Sequence, residues 1–341
     1  MRKWIVTGGA GFIGCHAANR FHQAGDRVVV VDNLSRRGSA LNLAWLKEQG
    51  VSEFIKADIR DASAMRAILA DHADADAVLH LAAQVAVTTS VSDPRADFEV
   101  NALGTFNVLE AVRLSGGKAA VLYSSTNKVY GNLEHVQVVQ RDGRYAYEDR
   151  PFGVDESEPL DFHSPYGCSK GAGDQYVRDY SRIYGLKTVV FRQSCIFGTR
   201  QFGIEDQGWI SWFCLAANRG SPFTIFGDGR QIRDTLWIDD LIDAYQAAIE
   251  RIEIVSGRVF NLGGGPSNTL SLRELVAMLE AHFGRKLDPP YADWRPGDQR
   301  VFVADVREAG RSLGWKPKVS TAEGVRKLLG WIGENQQLFT V

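Results

Sequence analysis

Apolar residues in the first half of the chain fall into short runs separated by longer amphipathic stretches. "KWIVTG", "RVVVVD", "FIKAD", "AVLHLAA", "AAVLYSS" and "KTVVFR" are apolar almost throughout, as strands covered on both faces should be. Between them the spacing changes to a helical period. It predicts helices over 11–24, over 41–49, over 94–114, and from Tyr166 to Tyr184. In the 94–114 stretch Phe98, Leu103, Phe106, Leu109 and Val112 are spaced for burial. Strand–helix alternation of this kind predicts an α/β fold of the Rossmann type, a doubly wound parallel sheet with helices on both faces. After about Phe197 the segments shorten and gain Gly and Trp, with helical patterns recurring at 238–251 and 271–283. The expected division is a dinucleotide-binding domain over 1–197 and a smaller mixed α/β, mainly substrate-binding region over 198–341. Parts of the later region would return to the first.

Composition narrows the class. The chain has 341 residues, 45% hydrophobic and 23% charged, with a formal net charge of −2. That balance is globular and gives no overall attraction to nucleic acid or an anionic membrane. Cys15, Cys168, Cys195 and Cys214 lie far apart without ligand spacing, and read as reduced thiols in a cytoplasm. The seven histidines are scattered, so no metal site is expected. No run approaches a membrane span, and the apolar start is too short and too glycine-rich for a signal peptide.

Candidate chemistry begins at the first turn. Gly8, Gly11 and Gly14 follow the first strand and open the first helix. Glycines there let backbone N–H groups approach a pyrophosphate at a helix N-terminus; the alternative is a plain tight turn. Asp32 ends the second strand, eighteen positions after Gly14. A carboxylate there can accept from both hydroxyls of an adenosine ribose and would repel a 2′-phosphate, which favours NAD over NADP. Arg36 and Arg37 pull the other way, because arginines hold such a phosphate. Asp58, after the third strand, could accept from an adenine amino group.

The ordered set "VTGGAGFIG", "VVDNLS", "ADIRD", "LHLAAQVAV", "NALGTFNVLEA", "YSSTNKVYG", "SPYGCSK" and "RDTLWIDDL" resembles the extended short-chain dehydrogenase/reductases, specifically the nucleotide-sugar epimerases and dehydratases. The resemblance implies a catalytic trio of Thr126, Tyr166 and Lys170. It implies a cofactor set of Gly8, Gly11, Phe12, Ile13, Gly14, Asp32, Asn33, Asp58, Ile59, Leu81, Ala82, Ala83, Asn101 and Ser124, with Tyr166 and Lys170. The residues agree: Thr126 lies at the carboxyl edge of its strand, and Tyr166 and Lys170 share one helical face. An ammonium near the phenol would favour its phenolate, which could take a hydroxyl proton while hydride leaves. The rival readings are a helix-capping Thr and a surface Tyr–Lys pair.

Dehydratases of the family usually place Asp and Glu after the threonine. Here Asn127 and Lys128 stand there, and Lys128 reads as a solvated charge. Oxidation and re-reduction without elimination is thereby favoured. "SSTNKVYG", "LDFHSPYGCSKGAGDQY", "RQFGIEDQGWISWF" and "DQRVFVADVR" resemble the branch of the family that epimerises a CDP-linked sugar at C2. The resemblance implies that Arg233 and Arg300 hold the nucleotide diphosphate, with a surface salt bridge the alternative for either. It implies that Gln207 and Trp209 close over nucleotide or sugar, with a place in the core the alternative for Trp209. It also implies that His163 and Ser164 reach the sugar, with helix capping the alternative for Ser164. Cys195 stands where much of the family has a substrate-binding Asn. The helices near 94–114 and 166–184 are expected to build a homodimer or homotetramer. The rivals are a C4-epimerase or reductase on another nucleotide sugar, and a cofactor-binding regulatory protein without catalysis.

Overall fold

The structure is a computed structural model that describes residues 1–295 and 297–339. Its centre is a seven-stranded sheet in the order Arg258–Leu262, Thr188–Gln193, Ala120–Thr126, Ala77–His80, Lys3–Thr7, Arg27–Asp32, Phe54–Lys56. Every pairing in it is parallel. Side chains alternate across each strand and feed two apolar layers. Trp4, Val6, Val28, Val30 and Leu79 face one helical layer, with Phe21, Leu241 and Tyr245. Ile5, Val29, Val31, Val78 and Val121 face the other, with Met65, Leu109, Val112 and Val177. Lys3–Thr7 pairs with Arg27–Asp32 on one side and with Ala77–His80 on the other. The strand order therefore reverses there, and a crevice opens at the carboxyl ends.

The helix expected over 94–114 is broken into three pieces. Asp93 caps the short helix Pro94–Phe98 through the Ala96 N–H at 3.0 Å. A π turn spans Glu99–Leu103, and the α-helix Gly104–Leu114 follows. Leu109 and Val112 are buried as expected, but Phe98 is 57% exposed, Leu103 39% and Phe106 37%. The segment carries apolar residues on two faces and only one meets the sheet. The extra residue of the π turn also shifts the helical phase. The helix Ser164–Tyr184 lies alongside it, and Tyr176, Ile183 and Tyr184 extend the exposed apolar surface.

Beyond Gln193 a smaller sheet forms around Ile232–Trp237. That strand pairs with Thr269–Ser271, Val301–Phe302 and Cys195–Phe197. The segment around 131–159 folds into the hairpin Val138–Arg141/Arg144–Tyr147, which docks on the small sheet as the Tyr147 hydroxyl donates to the Val301 carbonyl. The strand Arg258–Leu262 returns to the large sheet, so the two regions interleave. Among the described residues no helix is long and apolar enough to cross a membrane.

Candidate active site

A cavity of about 690 Å³ runs along the carboxyl edge of the large sheet, from the glycine turn to the small sheet. Gly8 adopts a left-handed φ of +69°, and a Cβ there would sit 2.6 Å from the Ala82 amide nitrogen. A Cβ at Gly14 would lie 2.6 Å from Gly9 Cα and overlap the Gly8 carbonyl oxygen. The turn is thus pressed between the first helix and the Leu81–Ala83 loop. The helix Phe12–Gln23 begins after Gly11 with no side chain capping its first N–H groups. Those donors and the partial positive charge of the helix end meet the cavity, which fits a pyrophosphate. Gly8, Gly11, Phe12, Ile13, Gly14, Leu81, Ala82 and Ala83 all line it.

Asp32, Asn33, Asp58 and Ile59 line the far end. The Asp32 carboxylate accepts from the Ala10 N–H at 3.0 Å and the Leu34 N–H at 2.7 Å. Burial raises its pKa while these backbone donors oppose the rise. A buried carboxylate in this place suits ribose hydroxyls and disfavours a 2′-phosphate. Asp58 is gripped by Arg60 through three hydrogen bonds, one from its backbone N–H and two from its guanidinium, and accepts from Asn33 at 2.9 Å. The Arg60 contact, foremost, holds its pKa down to about 2. Asp58 stays an acceptor, but part of its capacity is spent within the protein. Arg36 crosses the cavity and donates to the Gln207 side-chain oxygen.

Thr126, Tyr166 and Lys170 converge between these ends. Thr126 terminates the strand Ala120–Thr126, and Tyr166 and Lys170 occupy successive turns of Ser164–Tyr184. All three line the cavity and are buried. The Thr126 hydroxyl donates to the Asn127 side-chain oxygen at 3.3 Å and is near enough to the Tyr166 phenol to lower its pKa. Burial pushes the Tyr166 phenol up to about 12, against the Thr126 hydroxyl and the Arg36 charge; the Asp97 charge adds to the rise. Burial lowers Lys170 to about 7, opposed by Asp174 and Asp97. The Lys170 ammonium donates to the Ser124 carbonyl at 2.5 Å and lies 4.2 Å above the Tyr123 ring. In this state Arg36 supplies positive charge to the phenol, a role the sequence did not suggest.

Asn101 is a correction. It is 1% exposed and does not line the cavity. Its side chain accepts from the Gln84 N–H at 2.9 Å and donates to the Gln84 carbonyl, Asp97 and Ser169. It ties the loop after Ala77–His80 to the Tyr166 helix, so it shapes the cavity wall from behind. Sequence reasoning missed Asp97, the hub of this cluster, which also accepts from Gln84 and Ser169. The turn of sequence around it carries no sign that its partners come from two other elements.

The expected substrate residues divide into two groups. Cys195, Gln207 and Trp209 line the cavity, and Trp209 Nε1 donates to the Cys195 sulfur at 3.0 Å. Burial raises the Cys195 thiol to about 11, so it is neutral. His163, Ser164, Arg233 and Arg300 do not line the cavity. His163 contacts Asp161 at 3.0 Å, outside the wall. Ser164 has a positive φ of 65°, and its hydroxyl accepts from the Gly167 N–H at 3.2 Å, the capping alternative. Arg233 pairs with Asp298 at 2.5 Å, and exposed Arg300 lies 5.4 Å from the Tyr145 ring. Both arginines are occupied by partners that the sequence places far from them. Lys128 is not a solvated charge. It is half-buried and donates to the Gly297 carbonyl at 3.3 Å and the Gln299 side-chain oxygen at 3.4 Å.

Residues 4–263 match the NAD dependent epimerase/dehydratase family, and the chain belongs to it. Among its relatives is CDP-paratose 2-epimerase of Salmonella typhi, 46% identical over 334 residues that cover 96% of this chain and 98% of that one. The crystal structure of UDP-glucose 4-epimerase from Thermotoga maritima with UDP-glucose superposes with a TM-score of 0.85 at 33% identity, covering 98% of this chain and 99% of that one. A dTDP-glucose 4,6-dehydratase from Streptomyces venezuelae, solved with NAD, superposes with a TM-score of 0.84 at 28% identity, covering 98% of each chain.

Proposed function

We propose that this protein is an NAD-dependent epimerase that converts CDP-paratose to CDP-tyvelose by inverting C2 of the sugar. One observation carries the reaction type. Thr126, Tyr166 and Lys170 converge on a cavity continuous with the glycine cradle, and the positions after Thr126 hold an amide and a cation. Elimination of water needs an acid and a base beside the threonine, and Asn127 and Lys128 supply no such carboxylate pair. The likeness to the Salmonella enzyme supports the CDP-sugar and the C2 position.

Gly8, Gly11, Gly14 and Asp32 would hold NAD, which when bound supplies a hydride acceptor that afterwards returns the hydride. The sugar C2–H has no adjacent carbonyl to acidify it, so inversion requires passage through a 2-ketone. Thr126 hydrogen-bonds the O2 oxygen, and Tyr166 takes the O2 proton and later gives it back. Burial keeps the phenol protonated, so positive charge must supply the phenolate. Arg36 acts on the phenol in this structure, and Lys170, one helical turn on from Tyr166, is the second cation that we assign to this role. The ketone turns over in the pocket before re-reduction. The cofactor is regenerated in each cycle.

Incubating the protein with CDP-paratose and with UDP-hexoses, and following the sugars by NMR, tests the reading. Equilibration of paratose with tyvelose is expected. Turnover of a UDP-hexose with no reaction of any CDP-sugar would favour a C4-epimerase and overturn it. We further propose that the exposed apolar surface of Phe98, Leu103, Phe106, Tyr176, Ile183 and Tyr184 is covered by a second copy. A dimeric or tetrameric mass in solution is expected, and a monomeric one refutes it.

A further inference from the structure

We propose that Lys128 binds the β-phosphoryl group of the substrate diphosphate and so fixes the pose in which C2, rather than C4, meets Thr126 and Tyr166. The proposal rests on the C2 reading above and adds a residue to it.

The argument begins with the sugar. C2 is bonded to the anomeric carbon, whose oxygen carries the phosphorus. Only two carbons and one oxygen separate the reacting O2 from that phosphorus. A hydroxyl at C4 lies across the ring from it. An enzyme that places O2 on Thr126 and Tyr166 must therefore accept an anionic phosphoryl group close beside Thr126. It needs a cation there that a C4 enzyme does not need.

Lys128 is two residues past Thr126, on the 3₁₀ turn Asn127–Tyr130 that the Thr126 hydroxyl caps through the Lys128 N–H at 3.2 Å. Its ammonium is held by two neutral oxygens, the Gly297 carbonyl and the Gln299 amide. Gln299 is itself 4% exposed and anchored to the Gly131 carbonyl, so its oxygen is fixed toward the lysine. The charged groups that act on Lys128 are Arg233 and Asp298, with the thiol of Cys195 on the cavity wall. Asp298 is already paired with Arg233. Two cations thus act on one carboxylate. Like Arg233, Lys128 is not part of the cavity lining, which Cys195 is, so its ammonium must turn from the Gly297 and Gln299 oxygens to meet an anion there. A point-charge ammonium suits a phosphoryl oxygen. Burial first, and Arg233 next, lower Lys128 to about 8, against Asp298 and Cys195. Its charge is consequently lost in an accessible pH range, which gives the proposal a signature.

The test is calorimetric binding of CDP, and of UDP in parallel, to the NAD-loaded protein and to its K128Q and K128R variants. K128Q should weaken the nucleoside diphosphate by about 10- to 100-fold, the range of a charge-assisted hydrogen bond, and K128R by only a few-fold. Melting temperature and NAD content should not change. Wild-type affinity should fall as pH rises above about 8, and that fall should be absent in K128Q. Unchanged affinity in K128Q, or a pH limb that persists in it, overturns the proposal. If the wild type binds UDP and not CDP, the nucleotide reading fails, and the Lys128 comparison is then decided on UDP. Binding of neither overturns both.

Discussion

Arg192 grips Asp174 through two parallel hydrogen bonds, Nε to Oδ2 at 2.9 Å and Nη2 to Oδ1 at 3.1 Å, in a core where the side chains are 2% and 0% exposed. The pair lies directly behind the active strand, because Ser125 donates to the same carboxylate at 2.8 Å. Arg192 also donates to the Tyr130 hydroxyl, which donates to Asn261, which donates to the Val154 carbonyl. One charge pair therefore joins the Thr126 strand to the segment around 131–159 and to the strand Arg258–Leu262.

Removing one partner should strand a buried charge. Arg192→Met is expected to cost about 3–5 kcal/mol of stability, while the double replacement with Asp174→Leu costs less than either single change. Denaturant unfolding of the three variants measures this. Additive losses would mean that the pair is not the unit that matters.

Tyr166→Phe removes the only proton that the phenol can move and keeps the ring. Turnover should fall by about 10²–10⁴-fold, the usual share of a general acid–base group, with NAD retained. Steady-state rates beside the NAD content of the purified variant decide it. Near-normal activity would require another proton carrier.

Ligand-free stability should depend on pH through Lys170. Its folded pKa, about 7, is below the value of a free lysine, so the unfolded chain holds the extra proton between about 7 and 10. Stability therefore rises with pH across that window and is lowest once the buried amine is charged. Urea midpoints at several pH values should climb in the wild type and climb less in Lys170→Met. Parallel slopes would assign the effect to other groups.

Gly14→Ala should abolish cofactor loading while leaving most of the fold. Its Cβ has no space against Gly8 and Gly9, so the turn must open and lose the N–H cradle. NAD bound per chain after purification is the readout, and full occupancy would show that the cradle tolerates displacement.

The order of strands and helices, the glycine turn and the spacing of Tyr166 and Lys170 were legible in the sequence. They depend on local periodicity and on residue types whose backbone freedom or chemistry is specific. The burial of Phe98, Leu103 and Phe106 was misread, because apolar spacing reports a face without saying what covers it. Asn101 was placed on the cavity wall when it braces that wall from behind.

What the sequence by itself determined is the parallel sheet, the family and the residues that can carry a proton. Tertiary structure alone decided that Asp97 and Asp174 are buried behind the site and that Arg36 bonds Gln207 while its charge acts on the phenol. It also decided that Lys128 lies among Arg233, Asp298 and Cys195 rather than in water. Each of these depends on residues tens or hundreds of positions apart. The energy of a charge is set by whatever the fold brings within a few ångströms of it, and no local pattern records that.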